Sequence, residues 1–393
     1  MRSTSRFVVI GGGIIGISIA RALALRGVRK IKVLEQESSV GQHASGRNSG
    51  VIHSGINQKP GSLKATMCVE GSRLLREYCL KHQVPMKECG TLVVAIEERE
   101  VPVLEQLLKM GKECGVPGLE IIDSKELRRL EPFANGIQAL LSPTGATVDS
   151  RRVVEALAAE AKELGVEIAF NQRVERIEGK KVFTKCGAVE FDFLINCAGL
   201  HADEIAHQMG AGAGYRVIPF RGEYMEVREC DVRSMIYRAP DLRFPFLSIH
   251  LTRETDGRVL AGPSAVLAFG KEAYEKEWKL AEMFGMFLSP QFLRLIIDSE
   301  FLKLAVNNAK TSLFPSAFLK EIQALVTTSL NRGQITPFRA GIRAQLVDSK
   351  GKMVNDILVE RQENALHVLN AVSPGFTSSL AFSEYILGSI DGF

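Results

Sequence analysis

The stretch Phe7-Val8-Val9-Ile10-Gly11-Gly12-Gly13-Ile14-Ile15-Gly16 decides the fold of this 393-residue chain. Its first part, Phe7–Ile10, is a short apolar run of the kind that forms a buried parallel strand. Three glycines follow with the spacing GxGxxG, and the pattern then predicts a helix over 14–26 that ends at Gly27. The stretch is therefore typical of a strand, a glycine turn and a helix that bind a dinucleotide.

Each glycine of this turn has a physical role. Gly11 permits the tight turn, Gly13 lets backbone amides approach a diphosphate, and Gly16 allows close packing of helix on strand. The diphosphate then meets the positive end of the helix. A second apolar strand over 31–34 ends in Glu35, which is placed to accept hydrogen bonds from a ribose diol. A glycine-rich turn in an unrelated α/β protein is the alternative, but the complete β-α-β unit favours dinucleotide binding.

Length and composition indicate a globular protein of more than one domain. The chain is longer than a single core usually allows, and 46% apolar with 24% charged residues is ordinary for such proteins. A net charge of +4 fits an anionic cofactor and an anionic substrate and gives no indication of a nucleic-acid partner.

Neither a transmembrane segment nor a disulfide framework is predicted. The longest apolar stretch, 7–20, contains the glycine cluster and stops at Arg21, short of the roughly 20 residues that a spanning helix needs. The cysteines are odd in number and include no CxxC pair, so we expect reduced, mostly buried thiols, no metal site and a cytoplasmic location. The sequence leaves open whether the protein touches a membrane surface. The seven cysteines are Cys68, Cys79, Cys89, Cys114, Cys186, Cys197 and Cys230.

The remaining pattern predicts an α/β fold with two interleaved domains. Short strands with turns over 216–262 indicate an antiparallel sheet, and 273–325 is helical with breaks at Pro290 and Pro315. Residues 1–85, 145–212 and 335–393 are predicted to form a discontinuous Rossmann-type domain. The inserted, mainly antiparallel α+β substrate domain is predicted over 86–144 and 213–334. Further predicted helices are 62–82, 102–114, 124–130 (capped by Ser124), 152–164 and 378–387, and further strands are 166–170, 191–195 and 366–370, with a hairpin at 174–183.

Three segments favour FAD over NAD. A nicotinamide enzyme usually continues with further β-α units, whereas here the small polar loop Gly41–Gly50 follows at once. The strand end Asn196–Gly199 and the loop Pro374–Ser379 at a helix start would bring two more backbone approaches to a long cofactor, and the helix start suits the flavin pyrimidine. The residues predicted to bind the cofactor are Gly11, Gly13, Ile14, Ile15, Gly16, Glu35, Gln36, His43, Ser45, Arg47, Asn48, Ser49, Val51, Val174, Cys197, Ala198, Gly199, Gly341, Pro374, Gly375, Phe376, Thr377 and Ser378.

Six strings of the sequence match a known pattern: Asn48–Gly55, Pro60–Ala65, Pro219–Tyr224, Pro245–Arg253, Gly262–Phe269 and Ala340–Gln345. Through them the chain resembles, over nearly its whole length, the D-amino-acid-oxidase superfamily of FAD-dependent oxidoreductases. Within that superfamily it is similar to the L-2-hydroxyglutarate oxidase/dehydrogenase family, in which FAD oxidises an L-2-hydroxy acid to the 2-oxo acid. Two positions depart from the family pattern, because Arg47 stands where members often carry His and Phe376 replaces a small residue.

A hydroxy-acid oxidation by hydride transfer to flavin N5 needs a base for the hydroxyl proton. A histidine with a pKa near neutrality suits that transfer. His53 follows the predicted flavin-contacting segment, and His250 lies on an apolar strand of the inserted sheet, so both are candidates and a structural role is the alternative for each. His43 is also a candidate for covalent flavin attachment, since relatives carry such a histidine in a similar loop. No catalytic part is predicted for His82, His201, His207 or His367.

The substrate carboxylate needs a cation. Arg343 is the first candidate, since it leads into the C-terminal segment and a guanidinium can bind a carboxylate through two hydrogen bonds. A dicarboxylate such as 2-hydroxyglutarate needs a second cation, for which Arg253, Lys64 and Arg221 are candidates. Structural ion pairs are the alternative in each case.

Other functions fit the same fold. An amine oxidase, an amino-acid oxidase, a glycerol-3-phosphate dehydrogenase or a flavin-binding subunit of an electron-transfer complex would share it. A soluble NAD-dependent enzyme is a further alternative. The electron acceptor (oxygen, a quinone or a redox partner), the oligomeric state and the covalent state of the flavin stay open.

Overall fold

The computed structural model describes residues 5–241 and 249–390, which form an α/β structure with two large β-sheets. Residues 245–248 of the string Pro245–Arg253 lie outside the described residues. The strands are β1 (Arg6–Ile10), β2 (Lys30–Leu34), β3 (Val51–Ile52), β4 (Met86–Glu88), β5 (Thr91–Ala95), β6 (Glu120–Asp123), β7 (Gln138–Ser142), β8 (Ala146–Val148), β9 (Glu167–Ala169), β10 (Val174–Glu178), β11 (Lys181–Thr184), β12 (Gly187–Glu190), β13 (Phe193–Asn196), β14 (Arg216–Val227), β15 (Met235–Arg238), β16 (His250–Arg253), β17 (Val259–Gly262), β18 (Val266–Leu267), β19 (Ile335–Val347), β20 (Leu358–Arg361) and β21 (Ala365–Asn370). The helices are α1 (Ile14–Leu25), α2 (Leu63–Lys81), α3 (Val101–Glu113), α4 (Ser124–Leu130), α5 (Ser150–Glu163), α6 (Ala202–Gln208), α7 (Leu280–Phe287), α8 (Pro290–Ile297), α9 (Ser299–Leu313), α10 (Pro315–Leu325) and α11 (Gly375–Gly388).

The first large sheet contains the N-terminal strand and has the order β20-β21-β13-β1-β2-β9. All its neighbours pair in parallel except β20 and β21. Helix α1 packs against α5 and α11, and the apolar faces of the sheet and helices merge in one core around Val9, Leu23 and Val33, all fully buried. The predicted β-α-β unit and Rossmann-type fold are confirmed.

The glycine turn holds two strands close together. Gly11 has φ +106°, and a Cβ at this position would lie 2.4 Å from the carbonyl oxygen of Cys197, at the end of β13. A Cβ at Gly16 would lie 2.1 Å from the Gly11 carbonyl oxygen and 3.3 Å from Val9. Only glycine permits these two approaches, which bring the ends of β1 and β13 to one edge of the sheet.

The second large sheet is mainly antiparallel, as predicted. Its order is β18-β14-β17-β16-β15-β5-β7-β6, with β19 on β14, and the pairing of β15 with β5 is parallel. Strands β14 and β19 pair from Arg216 with Val347 to Val227 with Ile335. Two three-stranded sheets complete the fold, β3-β8-β4 and β10-β11-β12, so the predicted hairpin at 174–183 has a third strand.

The predicted division into domains stays a prediction. All six strands of the first large sheet fall in the segments assigned to the nucleotide-binding domain. Strand β19 was assigned to the same domain, yet it pairs along its length with β14 in the second sheet. Strand β19 and the next strand, β20, therefore lie in different sheets.

Several predicted helix ends differ from the structure. The Asp123 carboxylate, rather than the predicted Ser124, caps α4 by accepting from two backbone amides. The helical region 273–325 contains four helices, and two of them begin at Pro290 and Pro315. Proline has no N–H group and suits a first helical turn, so these residues start helices rather than merely interrupting one. Helix α11 begins at Gly375, within the predicted loop.

The seven cysteines are free thiols, as predicted. Only Cys68, Cys79 and Cys230 are buried and Cys186 is exposed, so the prediction that most of the seven thiols are buried is wrong. Burial raises the pKa of Cys68 and Cys79 to about 12, so these thiols remain protonated at neutral pH.

An exposed apolar face lies on the helices from α7 to the start of α10. Ten of the fourteen exposed large apolar side chains in the described residues fall between 278 and 314. Among the described residues, no single helix has the length and composition to cross a membrane, and α7 with α8 meets that test only as a pair bent by 68°. The ten side chains, called the α7–α10 face below, are Trp278, Leu280, Phe284, Leu288, Leu293, Ile297, Leu302, Val306, Leu313 and Phe314.

Candidate functional site

A cavity of about 360 Å³ lies at the edge of the first sheet where its parallel strands end. Ile10, Glu35, Cys197 and Ala371 line it, and each ends or follows one of the strands β1, β2, β13 and β21. Residues of β14, β16 and β19 line the opposite side, so the cavity lies between the two large sheets. Ligands of open α/β sheets bind at this edge.

The glycine turn forms one end of the cavity. Gly13 is the N-cap of α1 and carries no side chain, and the Ile14 amide donates to the Ser45 hydroxyl at 2.9 Å. A Cβ at Gly13 would lie 3.0 Å from that hydroxyl. The first turn of α1 contains no acidic residue, so its positive end suits the diphosphate of a dinucleotide.

Glu35 lies beside this turn and is 6% exposed. Its carboxylate accepts from the Gly12 amide at 2.6 Å and from the Glu37 amide at 2.9 Å. Burial raises the pKa of Glu35, while these two hydrogen bonds oppose the increase. The carboxylate therefore fixes the turn and also lines the cavity, where a ribose hydroxyl could reach it.

Nearly all the residues predicted to bind the cofactor line this one cavity. Gly16, Thr377 and Ser378 do not, since Gly16 packs on β1 and Ser378 is buried in α11. The Thr377 hydroxyl accepts from the His53 amide at 3.1 Å and so connects α11 to the loop after β3. The predicted residues that line the cavity are Gly11, Gly13, Ile14, Ile15, Glu35, Gln36, His43, Ser45, Arg47, Asn48, Ser49, Val51, Val174, Cys197, Ala198, Gly199, Gly341, Pro374, Gly375 and Phe376.

The loop 47–50 is held against β19. A Cβ at Gly341 would lie 2.2 Å from the Arg47 carbonyl oxygen, so only glycine permits this approach. Next to it, the Arg339 guanidinium donates to the Asn48 carbonyl oxygen at 2.7 Å and to Glu254 at 2.5 Å. These contacts bring the polar loop and Arg343, two residues beyond Gly341 on the same face of β19, to the same part of the cavity.

His53 and Arg343 both line the cavity, and the field around them is positive. Burial and the cationic groups Arg343 and Lys64 lower the pKa of His53 to about 4, so the imidazole is neutral at pH 7. Burial also lowers the pKa of Arg343 below its ordinary value, although an arginine remains charged. Lys64 lies outside the cavity lining, with its ammonium donating to the Asn355 carbonyl oxygen at 3.1 Å and its pKa lowered to about 8 by burial.

His250 lines the cavity from β16 and is 4% exposed. Its ring stacks on Tyr237 of β15, with ring centroids 4.0 Å apart. Tyr224 of β14 lines the cavity nearby, and burial raises the pKa of its phenol. The sequence did not single out Tyr224, because a tyrosine on a predicted strand carries no signal until the sheet places it at a cavity.

Arg253 and Arg221 lie outside the cavity lining. The Arg253 guanidinium pairs with Asp231, and Arg221 pairs with Glu223 at 3.0 Å. Strand alternation accounts for the position of Arg221. Gly222 and Tyr224 of β14 line the cavity, so Arg221, one residue before Gly222, faces the other side of the sheet. We therefore do not retain these two arginines as candidates for a second carboxylate.

His43 lies at the nucleotide end of the cavity with both ring nitrogens in hydrogen bonds. Nδ1 is 2.6 Å from the Tyr274 hydroxyl, and Nε2 is 3.0 Å from Glu37 and 2.9 Å from Gln36. The Arg47 guanidinium lies over the Tyr274 ring, 4.2 Å from its centroid. These contacts favour a structural role for His43 over covalent attachment of a flavin.

His201 lies at the same rim between two carboxylates, at 2.7 Å from Glu204 and 3.2 Å from Glu272. Burial opposes protonation, but these hydrogen bonds raise the pKa of His201 above its ordinary value. The Glu272 pKa falls to about 2, chiefly through His201. Ligand atoms of Glu37, His43 and Glu272 lie within 4.8 Å of one another, but each of these groups is already hydrogen-bonded. The cluster joins the segment 271–274 to the nucleotide-binding half.

Comparison with known proteins identifies the family. The family described as DAO, FAD dependent oxidoreductase, matches residues 6–387. The chain is 37% identical to human L-2-hydroxyglutarate dehydrogenase, mitochondrial, over 99% of its length and 89% of that protein. It is 36% identical to L-2-hydroxyglutarate dehydrogenase of Indibacter alkaliphilus, over 95% of this chain and 96% of that protein.

Solved structures share the fold. The dithionite-reduced L-alpha-glycerophosphate oxidase from Mycoplasma pneumoniae, which has FAD bound, superposes with a TM-score of 0.77 at 24% identity, covering 98% of this chain and 94% of that one. Glycine oxidase from Geobacillus kaustophilus gives a TM-score of 0.73 at 16% identity, with the same two coverages. From the family match and the relatives together, this chain belongs to the FAD dependent oxidoreductase family, DAO.

Proposed function

We propose that this enzyme oxidises an L-2-hydroxy acid to the 2-oxo acid, and that L-2-hydroxyglutarate is its substrate. The names of relatives that share more than a third of the sequence support this substrate. The observation that carries the proposal is one cavity that holds the dinucleotide turn, the Arg343 cation and the neutral imidazole of His53.

FAD is the cofactor of this family, and when bound it accepts the hydride that leaves C2 of the substrate. The residues present fit FAD. The turn at Gly13 accommodates a diphosphate, and Glu35 can bind a ribose. The close approach of Gly341 to the Arg47 carbonyl oxygen holds the polar loop 47–50 beside β19. The α11 start at Gly375 and the loop 47–50 would hold its ring.

Arg343 would bind the substrate carboxylate. Arg343 lines the cavity from β19, and its charge persists although burial lowers its pKa. Two parallel hydrogen bonds from a planar guanidinium fix the orientation of a carboxylate, and thus of C2 and its hydroxyl.

His53 is the first candidate to accept the hydroxyl proton. A general base must be unprotonated, and burial, Arg343 and Lys64 together keep this imidazole neutral above about pH 4. A bound dicarboxylate would offset the two cations, so the basicity of His53 rises when substrate is present. His250 is the second candidate, since it lines the same cavity.

Lys64 would act on the second carboxylate of a dicarboxylate through its charge. It is the one of the three predicted second cations that lies close enough to Arg343 and His53 to change the His53 pKa. Arg221 and Arg253 are engaged with carboxylates outside the cavity lining.

We further propose that the protein works in the cytoplasm against a membrane surface. The α7–α10 face supports this, because exposed large apolar side chains that are concentrated in one part of the chain, rather than scattered singly, indicate an interaction site. Residues 275–321 carry six basic and six acidic side chains, so the attraction would be apolar rather than electrostatic. Of the three possible electron acceptors (oxygen, a quinone or a redox partner), a membrane quinone is the one that fits this location.

The substrate is tested by flavin bleaching without air. L-2-hydroxyglutarate should reduce the bound flavin and abolish its visible absorbance, because Arg343 and a neutral base act on the same hydroxy acid. Glycine, sarcosine and glycerol-3-phosphate should leave the spectrum unchanged. Bleaching by one of these three but not by L-2-hydroxyglutarate would replace the proposed substrate, and turnover with no compound despite bound FAD would favour an electron-transfer subunit.

Replacing Arg343 by Ala should leave the flavin bound and weaken substrate use. Loss of a charge-assisted hydrogen-bonded pair costs about 1.5–3 kcal/mol, or roughly 10- to 150-fold in kcat/KM with a dye acceptor. Arg253→Ala is the matched control, since Arg253 pairs with Asp231 outside the cavity lining, and its kinetics should stay those of the wild type. Equal kinetics for both variants would remove Arg343 from the site.

The pH dependence of kcat/KM tests His53. The imidazole accepts a proton only when neutral, so activity should be lost as pH falls through the His53 pKa of about 4. In Lys64→Met a positive charge near the imidazole is gone, the pKa of His53 rises, and the acid limb should move to higher pH. An acid limb at the same pH in both proteins would show that His53 is not the base.

Co-sedimentation with phosphatidylcholine vesicles tests the membrane contact. The wild type should sediment with the vesicles, and Leu288→Glu with Ile297→Glu should stay in the supernatant, because both side chains are more than three-quarters exposed on the α7–α10 face. Leu80→Glu, on the exposed side of α2, is the control and should sediment. A wild type that stays in solution as a dimer, which the double variant converts to a monomer, would assign the face to self-association instead.

A further inference from the structure

Tyr237 and His250 form a stacked pair across two neighbouring strands. Their ring centroids are 4.0 Å apart and the ring planes differ by 16°. Ile236 of β15 lies opposite Leu251 of antiparallel β16, so Tyr237 lies opposite His250 and both side chains leave the same face of the sheet. His250 lines the cavity, whereas Tyr237 lies behind it and is 5% exposed.

The two strands that flank β16 place different residues opposite His250. Its cross-strand neighbour on β17 is Gly262, which has no side chain to pack against the ring. On the other side Tyr237 lies opposite Val93 of β5, and Val93 lies opposite Leu140 of β7. Tyr237, Val93 and Leu140 belong to one buried apolar cluster, so the tyrosine ring is held rigidly by the core.

The hydroxyl of Tyr237 does not explain its presence. It is buried and has no hydrogen-bond partner among the described residues, although a buried tyrosine hydroxyl usually has one. The contact that the side chain makes toward the cavity is therefore the face of its ring on the imidazole.

We propose that Tyr237 is a positioning residue, whose ring fixes the plane and direction of the His250 imidazole at the cavity wall. This inference rests on the proposed function, in which His250 is one of two candidate bases for the hydroxyl proton. A base that departs from its productive orientation loses rate steeply, because proton transfer needs a hydrogen bond of near-ideal length and direction.

The test compares Tyr237→Phe and Tyr237→Leu as FAD-loaded enzymes. The rate of anaerobic flavin reduction by L-2-hydroxyglutarate should stay within about twofold of the wild type in the Phe variant, which keeps the ring. In the Leu variant the rate should fall by roughly 10- to 100-fold while KM changes little, because the carboxylate contact to Arg343 is intact. Equal rates in the two variants would overturn the inference.

Leu140→Ala separates positioning from loss of stability. It empties the same apolar cluster two strands beyond Tyr237, so its melting temperature should fall as in Tyr237→Leu while flavin reduction keeps the wild-type rate. A loss of rate in Leu140→Ala equal to that in Tyr237→Leu would reduce Tyr237 to an ordinary core residue.

A double-mutant cycle links the effect to His250. In a His250→Asn background, Tyr237→Leu should cause no further loss of rate, since the ring that it orients is gone. Additive losses would contradict the inference. If the His250→Asn variant reduces flavin at the wild-type rate, His250 is not the base and the role proposed for Tyr237 fails with it. If L-2-hydroxyglutarate does not bleach the wild-type flavin, the proposed substrate is wrong, and the same variants are then compared with the compound that does bleach it.

Discussion

Close approach of backbone to backbone at glycine is the constraint on which this site depends. At Gly11 the turn after β1 meets the end of β13, and at Gly341 strand β19 meets the loop 47–50. A side chain at either position would overlap a carbonyl oxygen, at 2.4 Å and 2.2 Å respectively. Both approaches bring segments far apart in sequence to one cavity, so the site exists only when the two sheets are in place.

Charge around the cavity follows from what is buried beside it. One end has the positive start of α1, with Glu35 fixing the turn through the Gly12 amide. The other end has Arg343 and, behind the lining, Lys64, and burial together with these two charges keeps His53 neutral. A positive field attracts an anionic substrate and at the same time leaves a free base, and these two effects come from the same residues.

Contacts that have no part in the proposed chemistry lie at the nucleotide end of the cavity. His201 between Glu204 and Glu272, and His43 against Tyr274, connect the segment 271–274 to the nucleotide-binding half. Helices α7 to α10 follow this segment directly and carry the exposed apolar face. The rim of the nucleotide end is thus continuous in sequence with the surface that we propose to meet a membrane.

The sequence by itself determined the β-α-β unit at the N-terminus, the mainly antiparallel second sheet and the family, because strand, helix and glycine signals are local and the motif strings are long. It also named Arg343, His53 and His250, which the structure brings to one cavity. The tertiary structure alone decided that Arg221 and Arg253 pair with carboxylates elsewhere, that Asp123 caps α4, that Tyr237 stacks on His250 and that Tyr224 lines the same cavity. These features depend on strand register and on which face of a strand a side chain leaves, and both are set by pairing between segments that are distant in the chain.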